Sequence, residues 1–257
     1  MIRTASIALT MSLLAATSAN AKINVNYEEP ESSAEQSARQ AIEQSGANEL
    51  VADLSNHYFP FNSELTISYG GDDGPLYDPS THTVHMPYAF YNDSLEYFTK
   101  NDYEKRFGKP AKDGAVDTLL HTLLHEAGHA YIADQGIPIL GKEEDAVDNF
   151  AAVIMLNYVD QGADATISAA DMFAFESDDR PDYYDFYEYI GEHSFDLQRY
   201  FATLCLVYGS DPDAHKDLLD EIEDEYRDEQ KDKCIATFEE IDYNWKQVLN
   251  IKSEENS

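Results

Sequence analysis

The sequence predicts an α+β protein, predominantly helical, in which a small antiparallel sheet precedes one buried central helix. Three observations carry that prediction. Apolar residues recur at helical spacing over most of the chain from residue 33 onward. Two short stretches, residues 64–69 and 81–86, instead alternate polar and apolar between turn residues. The 257 residues are 43% hydrophobic and include 18 Tyr and 12 Phe, enough apolar material for one sizeable core.

The elements follow in order. Met1-Ile2-Arg3 leads into a mostly apolar stretch and then Ser18-Ala19-Asn20-Ala21, an A-x-A cleavage pattern. Residues 1–21 are therefore expected to be a signal peptide. Residues 22–257 are then a single mature domain, periplasmic or secreted, with no membrane insertion after processing. Residues 22–32 are polar and read as an unstructured lead-in. Ala38, Ala41, Ile42, Leu50, Val51 and Leu54 give a helical pattern over 33–56, broken near Gly46. The strand at 64–69 ends in Gly70-Gly71-Asp72-Asp73-Gly74-Pro75, a strong turn. Leu76-Tyr77 and residues 81–86 flank Asp78-Pro79-Ser80 as a hairpin.

A surface helix is predicted over 91–107, stopped by Gly108 and Pro110. From 113 to 134, Val116, Leu119, Leu120, Leu123, Leu124, Ala127, Ala130 and Tyr131 form one broad apolar face, so this helix should be buried. After Gly136 to Gly141 comes a helix over 143–160, acidic at its start and apolar afterwards. Shorter helices are predicted over 167–176 and 183–190, and another over 193–208. Cys234, Phe238, Ile241, Trp245 and Leu249 mark a C-terminal helix. In an exported chain the two cysteines, Cys205 and Cys234, read as a disulfide pinning two helices, with two buried free thiols as the alternative.

Charge narrows the function. There are 17 Lys plus Arg against 50 Asp plus Glu, a net charge of -33. Such a polyanion lacks the cations that displace phosphate counterions, which argues against nucleic acid as a partner.

Chemistry concentrates in the buried helix. His125-Glu126-Ala127-Gly128-His129 is an H-E-x-x-H sequence. Residues four apart share a helix face, so His125 and His129 can reach one metal ion together. Glu126 lies about 100° around the axis, placed to act as general base on water rather than as a ligand. Leucines on both sides argue for burial, where unpaired imidazoles and a carboxylate would be costly unless something binds them. One zinc per chain is the expected cofactor.

A catalytic zinc needs a third protein ligand. The H-E-x-x-H-x-x-G-x-x-H continuation is absent, since Ile132 and Gln135 stand at its Gly and His positions. The next helix offers Glu143, Glu144 and Asp148. An acidic first turn is also what a helix N-terminus favours by itself. Glu144 and Asp148 are four apart, so Glu144 can ligate while Asp148 accepts a ligand histidine's N–H. Glu143 is the competing ligand. This Glu-x-x-x-Asp resembles that of thermolysin-like gluzincins.

Beyond the motif, residues 125–130 and 138–148 resemble a bacterial domain-of-unknown-function family of metallopeptidases. The similarity continues through 192–199, 205–212 and the helix of 234–249. It implies an exported zincin-like hydrolase of undefined substrate; with the metal motif, a peptide or protein is the expected substrate. A cysteine looked for near Tyr69-Gly70-Gly71 is missing, so a second disulfide of relatives is not expected here. Gluzincins use a later His or Tyr as donor to the oxyanion, and His193, with Asp196 as orienting partner, is the candidate. The alternative is an ordinary polar residue at a helix start. His82 and His85, three apart on a strand, face opposite sides, so they could form a metal pair only if the strand is bulged between them. Residues 81–86 are the candidate edge strand for pairing with an extended peptide. Two rival functions remain: a non-catalytic, metal-stabilised envelope binding protein, and a zinc hydrolase of non-peptide amides or esters.

Overall fold

A computed structural model describes residues 22–180, 183–186, 188–220 and 222–251. The expected signal peptide lies outside the described residues. The chain opens with β1 (Ile23–Tyr27), then α1 (Ser33–Ser45) and α2 (Ala47–Tyr58). Ser32 caps α1, its hydroxyl accepting the Glu35 N–H at 3.1 Å. Gly46, at φ 74°, takes the left-handed conformation that ends α1 and starts α2.

Strands β2 (Leu65–Tyr69), β3 (Leu76–Asp78) and β4 (Thr83–Met86) join β1 in one sheet of order β1-β2-β4-β3. The sheet is mixed, not antiparallel as expected. The β3–β4 hairpin is antiparallel, whereas β1 and β4 both run parallel to β2. Burial gives the reason. Val84 and Met86 are fully buried, so β4 takes the inner position, while the three-residue β3, with Leu76 exposed, is left at the edge. The edge strand is therefore β3 rather than residues 81–86. The lead-in also differs from expectation: residues 23–27 form β1, whose Ile23-Asn24-Val25-Asn26-Tyr27 alternates apolar and polar residues as a strand does and pairs parallel with β2.

Helices α3 (Tyr88–Lys100) and α4 (Tyr103–Phe107) replace the single helix predicted over 91–107; Asp102, at φ 52°, turns the chain between them. The central α5 (Ala111–Gln135) packs against α2, α3, β3 and β4, and against α6 (Glu143–Tyr158) and α7 (Gly162–Asp178). Leu119, Leu123 and Leu124 of α5 are fully buried, each contributing about 1.5–3 kcal/mol of apolar transfer. At Gly128 a Cβ would lie 2.9 Å from a Phe150 ring carbon and 3.0 Å from Val147 Cγ1. The missing side chain lets α6 press against α5 at the H-E-x-x-H turn.

The helix expected over 183–190 is absent; its described residues hold only a 3-10 turn at Glu188–Ile190. α8 (Asp196–Ser210) begins later than predicted, which leaves His193 in the preceding loop. α9 (Asp224–Val248) begins earlier. Cys205 on α8 and Cys234 on α9 form the expected disulfide, with Cα atoms 4.9 Å apart. Closing a loop of that length is worth on the order of 3–4 kcal/mol by chain entropy. Around it Phe173, Tyr200, Leu204 and Leu219 form a second apolar cluster beside the main core. Among the described residues no helix is long and apolar enough to cross a membrane.

Candidate metal centre and cleft

The helical register of α5 turns His125 and His129 toward the N-terminal turns of α6. Glu144 meets both. Its Oε2 lies 3.1 Å from His125 Nε2 and 3.4 Å from His129 Nε2. His193, in the loop before α8, brings its Nε2 to 2.9 Å from the same oxygen. Ligand atoms of His125, His129 and Glu144 all lie within 4.8 Å of one another.

The far side of each imidazole is also engaged. His125 Nδ1 is 2.7 Å from Asp148 Oδ1, and His129 Nδ1 is 2.8 Å from Glu143 Oε1. If both rings donate their Nδ1–H to these carboxylates, their Nε2 atoms present lone pairs to the lone pairs of Glu144. Only extra protons or a cation can make that arrangement favourable. The donor set, two imidazole nitrogens and a carboxylate, is what a zinc site with an open position takes, so the residues fit the metal.

Without a metal, protons do that work. Burial opposes a charge on His125, but the hydrogen bonds to Asp148 and Glu144 outweigh it and raise its pKa to about 9. Burial opposes a charge on His129 as well, and hydrogen bonds to Glu144 and Glu143 outweigh it and move its pKa upward. Burial pushes Glu144 upward, yet hydrogen bonds from His125, His129 and His193 hold its carboxyl far below the usual range. Asp148 is held down likewise against burial, by Arg199 and then His125. Arg199 reaches it from α8 as a fork, Nε to Oδ2 at 2.7 Å and Nη2 to Oδ1 at 2.8 Å.

Glu126 is 6% exposed and is not among the converging ligand atoms. Burial raises its pKa, opposed by His125, His129 and the backbone N–H of Tyr77 in β3. These groups line a cleft of about 610 Å³ walled by Pro75, Leu76 and Tyr77 on one side and Lys142, Glu192 and His193 on another. The loop that carries His193 is tied down at two points. Lys142 Nζ donates to the His193 carbonyl at 3.1 Å, and Ser194 Oγ donates to Asp145 Oδ1 at 2.7 Å.

The structure thus brings together His125, Glu126, His129, Glu144, Asp148 and His193. Glu144 takes the position facing both histidines, and Glu143 turns to the outer nitrogen of His129. Asp196 does not orient His193; its carboxylate is 3.5 Å from Arg180 instead. His82 bonds Tyr77 OH through Nδ1 and takes no part in the centre. Sequence reasoning did not single out Arg199. It stands 51 residues from its partner, and no spacing rule connects them. His121, one turn before His125, was also passed over. It is buried with no partner for Nε2, and burial lowers its pKa to about 4.

Comparison with curated proteins and with solved structures gives no match. Among protein families, one pattern matches residues 27–249, spanning β3 of the cleft wall and every residue of the centre. By that match the chain belongs to the family described as putative metallopeptidase.

Proposed function

We propose that the protein is an exported zinc metallopeptidase that hydrolyses peptide bonds in a peptide or protein substrate. One observation carries the reading: two imidazole Nε2 atoms and the Glu144 carboxylate converge beside a buried, separate carboxylate, Glu126, in an open cleft. His125, His129 and Glu144 would hold one zinc per chain. When bound, zinc supplies Lewis acidity and a water of lowered pKa.

Glu126 takes the proton from the attacking water and returns it to the leaving amine. Its burial strengthens it as a base, and the Tyr77 N–H fixes the carboxylate. His193 Nε2, on the cleft side of Glu144, donates to the oxygen that gains negative charge as the carbonyl is attacked. Asp148 and Glu143 keep the ligand imidazoles in one orientation. The exposed edge of β3 gives an extended peptide a strand to pair with along the cleft. A purely structural metal site would be closed by a fourth ligand and would need no cleft, so the 610 Å³ opening favours the enzyme over a binding module. Export rests on the leader of residues 1–21 and agrees with the Cys205–Cys234 disulfide.

The test is metal analysis of the purified protein together with peptide hydrolysis by Glu126→Gln. The wild type should carry one zinc and cleave. The variant should keep the zinc and lose at least a hundredfold in kcat, on the order expected for a general base. Undiminished cleavage by the variant, or a wild type that takes up no zinc, refutes the assignment.

A further inference from the structure

We infer that Arg199 is a positioning residue of the metal centre: from α8, a helix that supplies no ligand, its guanidinium fixes the Asp148 carboxylate and thereby sets the affinity of the site for metal. The inference rests on the proposed zinc site and deepens it.

The geometry is specific. Arg199 meets both oxygens of Asp148, Nε to Oδ2 at 2.7 Å and Nη2 to Oδ1 at 2.8 Å. The shared Oδ1 also receives His125 Nδ1 at 2.7 Å. A carboxylate alone can rotate and offer either oxygen to the imidazole. A two-point fork removes that freedom and leaves one lone pair of Oδ1 aimed at His125. The fork is itself held, because its guanidinium carbon lies 3.9 Å from the centre of the Phe173 ring on α7.

Burial makes a bland explanation weak. The side chains of Arg199 and Asp148 are 15% and 11% exposed. A buried ion pair is often no more stabilising than apolar residues of the same volume, so packing alone gives little reason for it. A carboxylate oriented against a ligand histidine does give one. Such partners commonly change metal affinity by about ten to a hundredfold.

Arg199 and Asp148 also border a cavity of about 380 Å³, lined in part by Ser194, Gln198 and Thr237 and by none of the three candidate ligands. A small guanidinium compound can enter there once the Arg199 side chain is shortened.

The test is zinc affinity of the full chain, measured by competition with a chromophoric chelator, for wild type, R199K, R199A, D148N and D148N/R199A. We expect R199A to lose about ten to a hundredfold. R199K, which keeps the charge but loses the fork, should lose most of that. Millimolar methylguanidinium should restore R199A severalfold and leave D148N/R199A unchanged, and the double variant should bind no more weakly than D148N. If R199A fails to fold, R199K and its comparison with D148N decide the matter. Wild-type affinity in R199K and R199A, or losses that multiply in the double variant, would overturn the inference while leaving the zinc site intact. A wild type that takes up no zinc would overturn both.

Discussion

Raising the pH of the metal-free protein from 6.5 to 9 should destabilise it, and His125 sets the size of the effect. Its folded pKa of about 9 stands above the ordinary 6.5, through Asp148 and Glu144 and against burial. A group whose folded pKa is raised contributes stability that is complete below its unfolded pKa and lost as pH climbs through the folded one. The shift of about 2.5 units, at 1.36 kcal/mol per unit, corresponds to about 3 kcal/mol. The imidazole side chain is only 6% exposed, so solvent screening removes little of this. His129, raised as well, acts in the same direction. For a domain of this size 1 kcal/mol moves Tm by about 2–4 °C, so the melting temperature should fall by roughly 6–12 °C. Thermal unfolding in a chelating buffer, at several pH values from 6 to 9.5, measures it. Bound zinc should abolish the decline, because the ligand imidazoles are then held unprotonated at Nε2. A metal-free Tm that stays level or rises over this interval would refute the proton-for-metal account of the site.

Other consequences are open to measurement. His193→Ala should retain one zinc and lose roughly a hundred to a thousandfold in kcat with little change in KM, as expected for an oxyanion donor; loss of zinc instead would make His193 a ligand. Gly128→Ala should destabilise the fold by about 1–2 kcal/mol in urea titrations despite alanine's better helix propensity. The added methyl meets Phe150 and Val147, both fully buried and unable to retreat. A more stable variant would show that α5 and α6 separate freely. Replacing Cys205 and Cys234 by Ser should lower stability by about 2–4 kcal/mol, read as a Tm loss of several degrees at least; an unchanged Tm would mean that packing of α8 on α9 suffices without the covalent link.

The helical part of the fold was legible because its residues are patterned locally. α5 announces itself through leucines at three- and four-residue spacing, and α1 and α2 through the glycine between them. The sheet was only half legible. The β3–β4 hairpin is local and was read, but parallel pairing of β1 with β2 joins residues 42 apart in sequence, such as Ile23 and Leu65. No short-range pattern encodes that partnership. The displaced edge strand follows from the same cause, since which strand lies outermost depends on which apolar side chains the core must bury.

The sequence by itself determined the face that carries the candidate ligands: His125 and His129 share it because they are one turn apart, and Glu144 and Asp148 share theirs for the same reason. Helix geometry is a property of consecutive residues. Only the tertiary structure decided which carboxylate meets which nitrogen. It turned Glu144 to the Nε2 atoms and Glu143 to the outer nitrogen of His129, and it brought His193 and Arg199 in from 49 and 51 residues beyond their acidic partners. Those contacts depend on how closely α6 settles on α5 and α8 on α6, a matter of side-chain volumes such as the absent one at Gly128, and no spacing along the chain records it.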